Sequence, residues 1–437
     1  MLAFVLVLVL VLGLNTAVWG TVGLCRLVAS QLLGAHRRVR RAGAAHRSED
    51  GLTAADVAVL IAAHDEELVI AGTIGSVLAL GIPPEQVFVA SDASSDRTAQ
   101  IAREYGARVL ELRPNRGKAG ALAAAIAHFR LDEEFPVVML LDADTRLAPD
   151  YLGTGLALFD DPQVVAVAGR AATIADPPAP SRIGRFLIAY RERFYVAIQY
   201  LLKYGQASRP ANAISIVPGF ASMYRGRILP RIDITAPGLA IEDFNMTFEV
   251  HAKRLGRIAF HPQAAIAYTQ DPDTCRDYAR QLHRWTLGFW QTVRRHGFHL
   301  GRFWAALALY VFELLSSSVV LLLTVPLLLA SLGFSVWEGL SGDRTMSGLV
   351  QLVPPLAVVL GVLLPDYLLT VFTAVVTRRP RYLLLGLGFP IVRIVDAAIC
   401  LRALPEAFLR RSRRDGVWTS PVRRVAEDAQ SAEPVGR

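Results

Sequence analysis

Residues 137–151, with the sequence VVMLLDADTRLAPDY, decide how the chain folds. The continuous apolar run 137–141 is typical of a buried strand in a parallel sheet. Asp142 and Asp144 come just past the end of this strand, at the edge where open α/β sheets bind their ligands. Alternate residues of an extended chain point to the same side, so both carboxylates can share one cation. Because Mg²⁺ commonly bridges one or two carboxylates to substrate phosphates, the stretch predicts a metal and diphosphate site, with a solvated turn as the alternative.

The composition indicates that this strand belongs to a membrane-attached protein. The chain has 437 residues, of which 53% are hydrophobic, and its net charge is +8. These values exclude an ordinary soluble protein and favour one domain of roughly 250 residues with apolar spanning segments at both ends. Residues 1–34 are the first such segment, and an arginine cluster at 37–47 follows it. This order predicts an uncleaved transmembrane helix whose N-terminus lies outside the cell.

From residue 50 to about residue 300, strands are expected to alternate with amphipathic helices. The predicted elements that precede the strand at 137–141 are strand 57–63, helix 66–80, strand 86–91, helix 97–105, strand 107–112 and helix 119–129. This alternation is typical of a doubly wound parallel sheet, as in nucleotide-binding folds. The sequence contains no GxGxxG motif and no phosphate-binding P-loop motif, so a nucleotide would be held by another arrangement.

Polar clusters lie where this sheet would end its strands. They are His64-Asp65-Glu66-Glu67 after the first strand, Asp92-Ala93-Ser94-Ser95-Asp96 after the second, and Arg116-Gly117-Lys118 before a helix. Each cluster alone is typical of a helix N-terminus, and a cation followed by small residues also suits a phosphate. Because the carboxyl ends of parallel strands meet at one edge, the clusters together favour a binding site there.

The second half of the domain adds three motifs. They are Val217-Pro218-Gly219-Phe220, Glu242-Asp243, and the QxxRW motif of Gln281, Arg284 and Trp285. With Asp142-Ala143-Asp144, these motifs resemble the membrane-integrated glycosyltransferases of family 2, such as the bacterial cellulose, hyaluronan and poly-N-acetylglucosamine synthases. The resemblance covers about residues 56–300 and the flanking helices. It implies a GT-A-type (Rossmann-like) cytoplasmic domain with transmembrane and interfacial α-helices.

The resemblance also implies a role for each matched residue. The residues expected to bind the nucleotide sugar are His64, Glu66, Asp92, Lys118, Asp142, Gln281 and Arg284. Asp144 and Asp142 are expected to hold Mg²⁺ or Mn²⁺, and Gly219, Phe220 and Trp285 to contact the acceptor. Asp243, paired with Glu242 at the catalytic position, is the expected general base. Asp65, Ala93 and Ile241 differ from the family pattern, and none of these differences removes a charged group assigned to chemistry.

Apolar segments return in the C-terminal third of the chain. The segments at 303–334 and 349–377 are predicted to be transmembrane helices, the segment at 383–409 an interfacial or re-entrant helix, and the segment at 410–437 a basic cytoplasmic tail. The third segment contains Arg393, Asp396 and Arg402, and a further crossing would export the basic tail. The protein is therefore expected to be a multi-pass protein of the cell (inner/plasma) membrane with its catalytic domain in the cytoplasm.

Two more segments, 182–204 and 278–299, mix aromatic, aliphatic and basic residues. This mixture predicts helices that lie on the inner leaflet, where anionic lipids attract the positive charge. Membrane lipids are therefore expected partners. The basic charge needs no nucleic acid to explain it, since no motif for binding RNA or DNA is present.

The sequence thus predicts a membrane-bound, inverting glycosyltransferase that transfers a sugar from a nucleotide sugar to a growing β-linked polysaccharide. The donor is expected to be a UDP-sugar, with UDP-GlcNAc as one candidate. A transferase that adds one sugar to a lipid or polyprenyl-phosphate acceptor is an alternative, against which the QxxRW motif argues. A catalytically silent sugar-nucleotide sensor is another, against which Asp144, Asp243 and Arg284 argue.

Overall fold

The computed structural model of the protein describes residues 2–32, 51–174, 178–342 and 359–409. The strands are β1 (Val57–Ala63), β2 (Val87–Asp92), β3 (Arg108–Leu112), β4 (Val137–Asp142), β5 (Arg146–Leu147), β6 (Val164–Ala168), β7 (Arg170–Thr173), β8 (Ala221–Arg225), β9 (Arg257–Ala259) and β10 (Ile266–Thr269).

The helices alternate with these strands and extend beyond them at both ends. They are α1 (Leu2–Leu32), α2 (Ile70–Leu78), α3 (Thr98–Glu104), α4 (Gly117–Phe129), α5 (Leu131–Glu134), α6 (Tyr151–Leu156), α7 (Arg182–Ala197), α8 (Tyr204–Gln206), α9 (Asp243–Ala252), α10 (Cys275–His296), α11 (Arg302–Ser341), α12 (Leu364–Thr377), α13 (Arg381–Leu385) and α14 (Phe389–Leu409). A π-helical segment, Ile198–Lys203, continues α7 into α8.

The strands and helices predicted before residue 142 are present, most of them with ends shifted by one or two residues. The largest difference is at α2, which begins at Ile70 and not at Glu66. The backbone amide of Glu66 donates to Thr98 Oγ1 at 2.8 Å, and that of Glu67 donates to Asp96 Oδ2 at 2.9 Å. The helix prediction over 66–69 was therefore wrong, because side chains that follow β2 hold this segment as a loop.

A seven-stranded sheet, in the order β3-β2-β1-β4-β8-β6-β9, is the centre of the domain. Strands β3, β2, β1 and β4 are parallel, as predicted. Strand β8 is antiparallel to both β4 and β6, so the second half of the sheet is mixed. Ala221, the first residue of β8, lies opposite Leu141. This orientation brings the loop before β8 to the edge where β4 ends.

Alternate side chains of β1 pack into two different cores, one on each face of the sheet. Ala58, Leu60 and Ala62 belong to one core, and Val57, Val59, Ile61 and Ala63 belong to the other. All seven side chains are at most 1% exposed. A strand buried on both faces needs a continuous apolar sequence, which explains why β1 and β4 could be predicted from the sequence alone.

Three stretches of the described chain are long and apolar enough to cross a membrane. They are Arg302–Ser341, Leu360–Thr377 and Arg381–Leu409. The first two coincide with the predicted segments at 303–334 and 349–377, and the third with 383–409. The N-terminal segment predicted at 1–34 contains the 31-residue helix α1. The arginine cluster at 37–47, the first part of 349–377 and the tail at 410–437 lie outside the described residues.

Two charged residues of α14, Arg393 and Asp396, contact neighbouring helices. Asp396 accepts hydrogen bonds from the hydroxyls of Tyr190 on α7, at 2.7 Å, and Tyr278 on α10, at 2.8 Å. Arg393 donates to Asp366 of α12 at 2.7 Å, and Arg193 of α7 donates to the same carboxylate at 3.0 and 3.1 Å. Two of the three polar residues that favoured an interfacial position for 383–409 therefore join it to α7, α10 and α12.

Helix α1 crosses the π-helical segment and α8 at two glycines. A Cβ atom on Gly23 would lie 2.0 Å from the carbonyl oxygen of Leu201, and one on Gly205 would lie 2.3 Å from that of Trp19. Only residues without a side chain permit this approach. The N-terminal helix is thus packed against the backbone that follows α7.

Candidate active site

The candidate site lies between β1 and β4, where the order in which successive strands are added to the sheet changes from one side to the other. Asp142, the last residue of β4, lies opposite Ala62 of β1. The chain continues from β1 to one side of the sheet, through β2 and β3, and from β4 to the other side. Open α/β sheets bind ligands in the crevice at such a point. The backbone amide of Asp142 donates to the carbonyl of Phe220 at 2.9 Å, which fixes the loop before β8 at this crevice.

Lys118, in the first turn of α4, joins three of the sequence motifs. Its Nζ atom lies 2.5 Å from Asp142 Oδ1 and 3.1 Å from Glu242 Oε1, and it donates to the Gly219 carbonyl at 3.2 Å. Burial disfavours the charged amine, but Asp142 and Glu242 outweigh it and raise the pKa of Lys118 above its ordinary value. One ammonium group therefore holds the DAD motif, the ED motif and the Gly219 loop together.

Asp243 is the first residue of α9 and lies beside this cluster. Its Oδ1 atom accepts a hydrogen bond from the Phe244 amide at 2.8 Å, and its Oδ2 atom accepts one from the Gly219 amide at 3.4 Å. Burial, and after it the negative charge of Glu242, raises the pKa of Asp243 to about 6. A carboxylate with a pKa near neutrality is well suited to take a proton as a general base.

Glu242 shows the opposite shift. Burial favours its neutral form, but the charges of Lys118 and Arg284 hold the pKa of Glu242 below its ordinary value. Its side chain is 8% exposed and is engaged by Lys118. The two adjacent carboxylates therefore have pKa values shifted in opposite directions, which suits Glu242 to pair with Lys118 and Asp243 to accept a proton.

We expect the activity to follow the ionisation of Asp243. A general base acts in its deprotonated form, so kcat/KM should level off above the pKa of about 6 and fall as the pH drops below it. The measurement is a pH profile of kcat/KM from the acidic to the neutral range, with protein stability checked at each pH. A profile without an inflection near this pH would show that Asp243 does not titrate in the active protein.

Asp142 and Asp144 fit a divalent cation that is also bound by the substrate. Burial and the charge of Asp144 raise the pKa of Asp142, while Lys118 opposes this, so the two carboxylates lie within interaction range of each other. Within the described residues, no group of three or more His, Cys, Asp or Glu side chains could hold a metal ion. A site of two carboxylates suits Mg²⁺ or Mn²⁺, because such ions commonly complete their coordination with substrate phosphates and water.

Asp92 is the last residue of β2 and lies at the same edge of the sheet as Asp142, with His64 and Glu66 in the loop after β1. Asp92 is fully buried, and its Oδ1 atom accepts a hydrogen bond from the Arg116 amide at 2.8 Å. The Nδ1 atom of His64 lies 2.6 Å from the carbonyl oxygen of Asp92, and Glu66 is 2% exposed. In this structure Asp92 supports the loop that precedes Lys118. Direct binding of the nucleotide sugar by these three residues stays a prediction.

The QxxRW motif lies on α10, next to α7. The side-chain carbonyl of Gln281 accepts a hydrogen bond from Arg191 Nη2 at 2.8 Å. The guanidinium of Arg191 lies 4.6 Å from the centre of the Trp285 ring. Arg284 is exposed, and its charge contributes to the lowered pKa of Glu242. The motif therefore extends the site from the carboxylate cluster towards α7.

The sequence did not predict three residues that support this motif. Arg191 is 2% exposed, Asp271 is 4% exposed, and the hydroxyl of Tyr195 donates to Asp271 Oδ1 at 3.0 Å. In the sequence, Arg191 is one of several arginines in an aromatic and basic segment, which is also the pattern of a membrane-surface helix. Its partner Gln281 is 90 positions away, so no local pattern connects the two residues.

Comparison with known proteins identifies a matching family model and similar proteins. The family described as "Glycosyl transferase family 2" matches residues 58–232. The poly-beta-1,6-N-acetyl-D-glucosamine synthase of Staphylococcus epidermidis is 24% identical over 402 residues, which cover 84% of this chain and 87% of that protein. A protein of Bacillus subtilis, "Probable glycosyltransferase YdaM", is 30% identical over 246 residues, which cover 53% of this chain and 54% of that protein.

Among solved structures, a mannosyltransferase from Pyrobaculum calidifontis, in complex with GDP-Man and Mn²⁺, is similar. It is 15% identical, and the match covers 90% of this chain and 99% of that chain, with a TM-score of 0.49.

The family match includes β1, the DAD motif and β8, and thus most of the sheet that carries the crevice. The resemblance that the sequence motifs predicted is confirmed: residues 58–232 match the glycosyl transferase family 2 domain, the sheet has a GT-A-type fold, and the protein is a glycosyltransferase.

Proposed function

We propose that the protein is a membrane-bound, inverting glycosyltransferase that extends a β-linked polysaccharide from a UDP-sugar. The observation that carries this proposal is the set of contacts made by Lys118, which joins Asp142 to Glu242 and to the Gly219 loop. These contacts hold a candidate general base, Asp243, beside the carboxylates suited to a metal and a diphosphate. Donor and acceptor chemistry can therefore take place in one crevice.

In the proposed reaction, Asp243 removes the proton from a hydroxyl of the acceptor. The hydroxyl oxygen forms a bond to the anomeric carbon while the bond from that carbon to the diphosphate breaks, and Asp243 keeps the proton. A single displacement of this kind inverts the anomeric centre and requires no nucleophile from the protein. Glu242, which we predicted as a catalytic partner, is bound to Lys118 and is now proposed to hold that cation in place.

The leaving UDP carries negative charge that the site must stabilise. Arg284 is exposed and acts on the same carboxylate cluster, so it can pair with a phosphate. Asp142 and Asp144 would hold Mg²⁺ or Mn²⁺, and the bound ion supplies Lewis-acid stabilisation of the diphosphate. Lys118 neutralises one oxygen of Asp142, which reduces the repulsion between the protein and the substrate phosphates.

The relatives support a polymer as the product. The Staphylococcus protein is named as a poly-beta-1,6-N-acetyl-D-glucosamine synthase and matches 84% of this chain, including the QxxRW region. UDP-N-acetylglucosamine is therefore the first donor to test. Trp285 offers the apolar face on which the terminal sugar of a growing chain can stack.

The apolar helices support a membrane location. We propose that α1, α11 and the stretch Leu360–Thr377 cross the membrane and that the domain between α1 and α11 lies in the cytoplasm. The segment 383–409 is apolar enough to cross as well, but its Asp396 is bonded to α7 and α10 of that domain. This contact supports an interfacial or re-entrant position for 383–409.

The direct test is incubation of the purified full-length protein in detergent or nanodiscs with a panel of UDP-sugars and Mg²⁺ or Mn²⁺. UDP release and product mass are measured together. We expect release with one or a few donors and a product that contains many sugars. No UDP release with any donor would reject the enzyme, and a product with a single added sugar would favour a lipid or polyprenyl-phosphate acceptor.

Trp285→Ala should separate a polymerase from a single-sugar transferase. Loss of the indole removes the surface that keeps the terminal sugar within reach of Asp243, so the rate of elongation should fall about 10- to 100-fold. The affinity for UDP should change little, since the phosphate-binding residues remain. Product length and UDP affinity are measured side by side, with Trp337→Ala, at an exposed position on α11, as the control. Unchanged length and rate would count against a polysaccharide synthase.

A further inference from the structure

Arg191 of α7 contacts the QxxRW helix at three points. Its Nη2 atom donates to Gln281 at 2.8 Å, and its guanidinium lies 4.6 Å from the ring centre of Trp285 and 4.9 Å from that of Tyr278. Gln281, Tyr278 and Trp285 lie at i, i−3 and i+4 on α10, so they form one stripe of this helix. Arg191 is only 2% exposed. It therefore packs along the face of α10 that carries two of the three residues of the motif.

The same arginine has a buried acidic neighbour. Its Nε atom lies 3.7 Å from Asp271 Oδ1, and the hydroxyl of Tyr195 donates to that oxygen at 3.0 Å. Burial, followed by the charge of Asp271, raises the pKa of Tyr195, while Arg191 opposes this. The hydroxyl of Tyr195 and the guanidinium of Arg191 therefore approach the same oxygen of Asp271.

We propose that Arg191 is the positioning residue of the acceptor platform: it holds one face of the Trp285 indole and the amide of Gln281, and so presents the other indole face to the acceptor sugar. This proposal rests on the proposed function, since it assigns a support to the same site. It also restricts the acceptor geometry. The face of Trp285 that Arg191 covers is not available for stacking.

The chemistry of the site explains why an arginine occupies this position. A planar guanidinium can lie against aromatic rings while its edge donates hydrogen bonds, and it remains charged at every relevant pH. A lysine ammonium is a compact point charge and cannot make both kinds of contact in the same geometry. Asp271, 4% exposed, supplies the opposite charge that a buried cation requires.

The test is Arg191→Met in the full-length protein, which removes the guanidinium and keeps an unbranched apolar side chain. We expect elongation to slow by about 10- to 100-fold, because the platform loses its orientation. The affinity for UDP with Mn²⁺, measured by calorimetry, should stay within about twofold of the wild type, because Asp142, Asp144 and Arg284 are untouched. Arg182→Met, at an exposed position on the same helix, is the control and should elongate normally.

If the Arg191→Met variant does not fold, Arg191→Lys provides the test. It keeps the buried charge beside Asp271, and elongation should still fall by about tenfold with UDP affinity retained. Wild-type elongation in this variant, or an equal loss of elongation and UDP affinity, would overturn the positioning role. These outcomes differ from a failure of the proposed function, in which the wild-type protein itself makes no polymer.

Discussion

Asp243→Asn is expected to lower turnover by about 10²- to 10⁴-fold, because the amide keeps the shape of the side chain but cannot accept the proton of the acceptor hydroxyl. The affinity for UDP should be nearly unchanged, since the Lys118 contacts with Asp142 and Glu242 do not involve this side chain. The pH inflection near 6 should also disappear from the residual activity. Turnover and UDP binding are measured on the same preparation.

Thermal unfolding provides the control for this substitution. Burial and Glu242 raise the pKa of Asp243, so its charged form opposes folding at neutral pH, and the neutral asparagine should not lower the unfolding temperature. Asp160→Asn, at an exposed position outside the crevice, should have wild-type turnover. Wild-type turnover in Asp243→Asn would remove this residue from the mechanism.

Asp144→Ala is expected to abolish measurable transfer at any donor concentration. The change removes one of the two carboxylates suited to a divalent cation, and Asp142 is already paired with Lys118. Without the ion, the developing charge on the diphosphate loses its main stabilisation. The affinity for Mn²⁺ in the presence of UDP, measured by calorimetry, should fall together with the activity.

Two comparisons make the metal prediction specific. Asp150→Ala changes an exposed aspartate that follows the DAD motif and makes no side-chain capping bond, and it should retain both metal affinity and activity. A chelator should inactivate the wild type, and added Mg²⁺ or Mn²⁺ should restore it. Full activity in excess chelator would contradict the assignment of Asp142 and Asp144.

The parts of the fold that the sequence predicted are those whose cause is local. Strands β1 and β4 are buried on both faces, so their sequences are continuously apolar. The position of β8 is different. Its antiparallel pairing with β4 and β6 depends on contacts between distant segments, and its five residues carry no pattern that fixes a direction. The start of α2 was misplaced for the same reason, since Asp96 and Thr98 hold the preceding loop.

In the candidate site, too, some features could be predicted from local sequence and others could not. Asp142, Lys118 and Asp243 were identified from motifs, and the structure brings all three to one crevice. What the sequence could not give is the connection between them, because Lys118 reaches a carbonyl 101 positions away. It could not separate the two carboxylates of the ED motif either, since their opposite pKa shifts depend on which of them Lys118 contacts. Arg191 was missed because its chemistry matches that of a membrane-facing arginine.

The two hydrogen bonds that Asp396 accepts have a consequence for expression of the protein in shortened form. A fragment that ends near residue 300 would contain every sequence motif of the family but would lack α14, and so would expose the hydroxyls of Tyr190 and Tyr278 without their acceptor. It would also lose Asp366, the partner of the buried Arg193. Helices α7 and α10 are held by the C-terminal segment as well as by the sheet. A unit that preserves these contacts therefore extends at least to Asp396 on α14, and a water-soluble version would have to replace them.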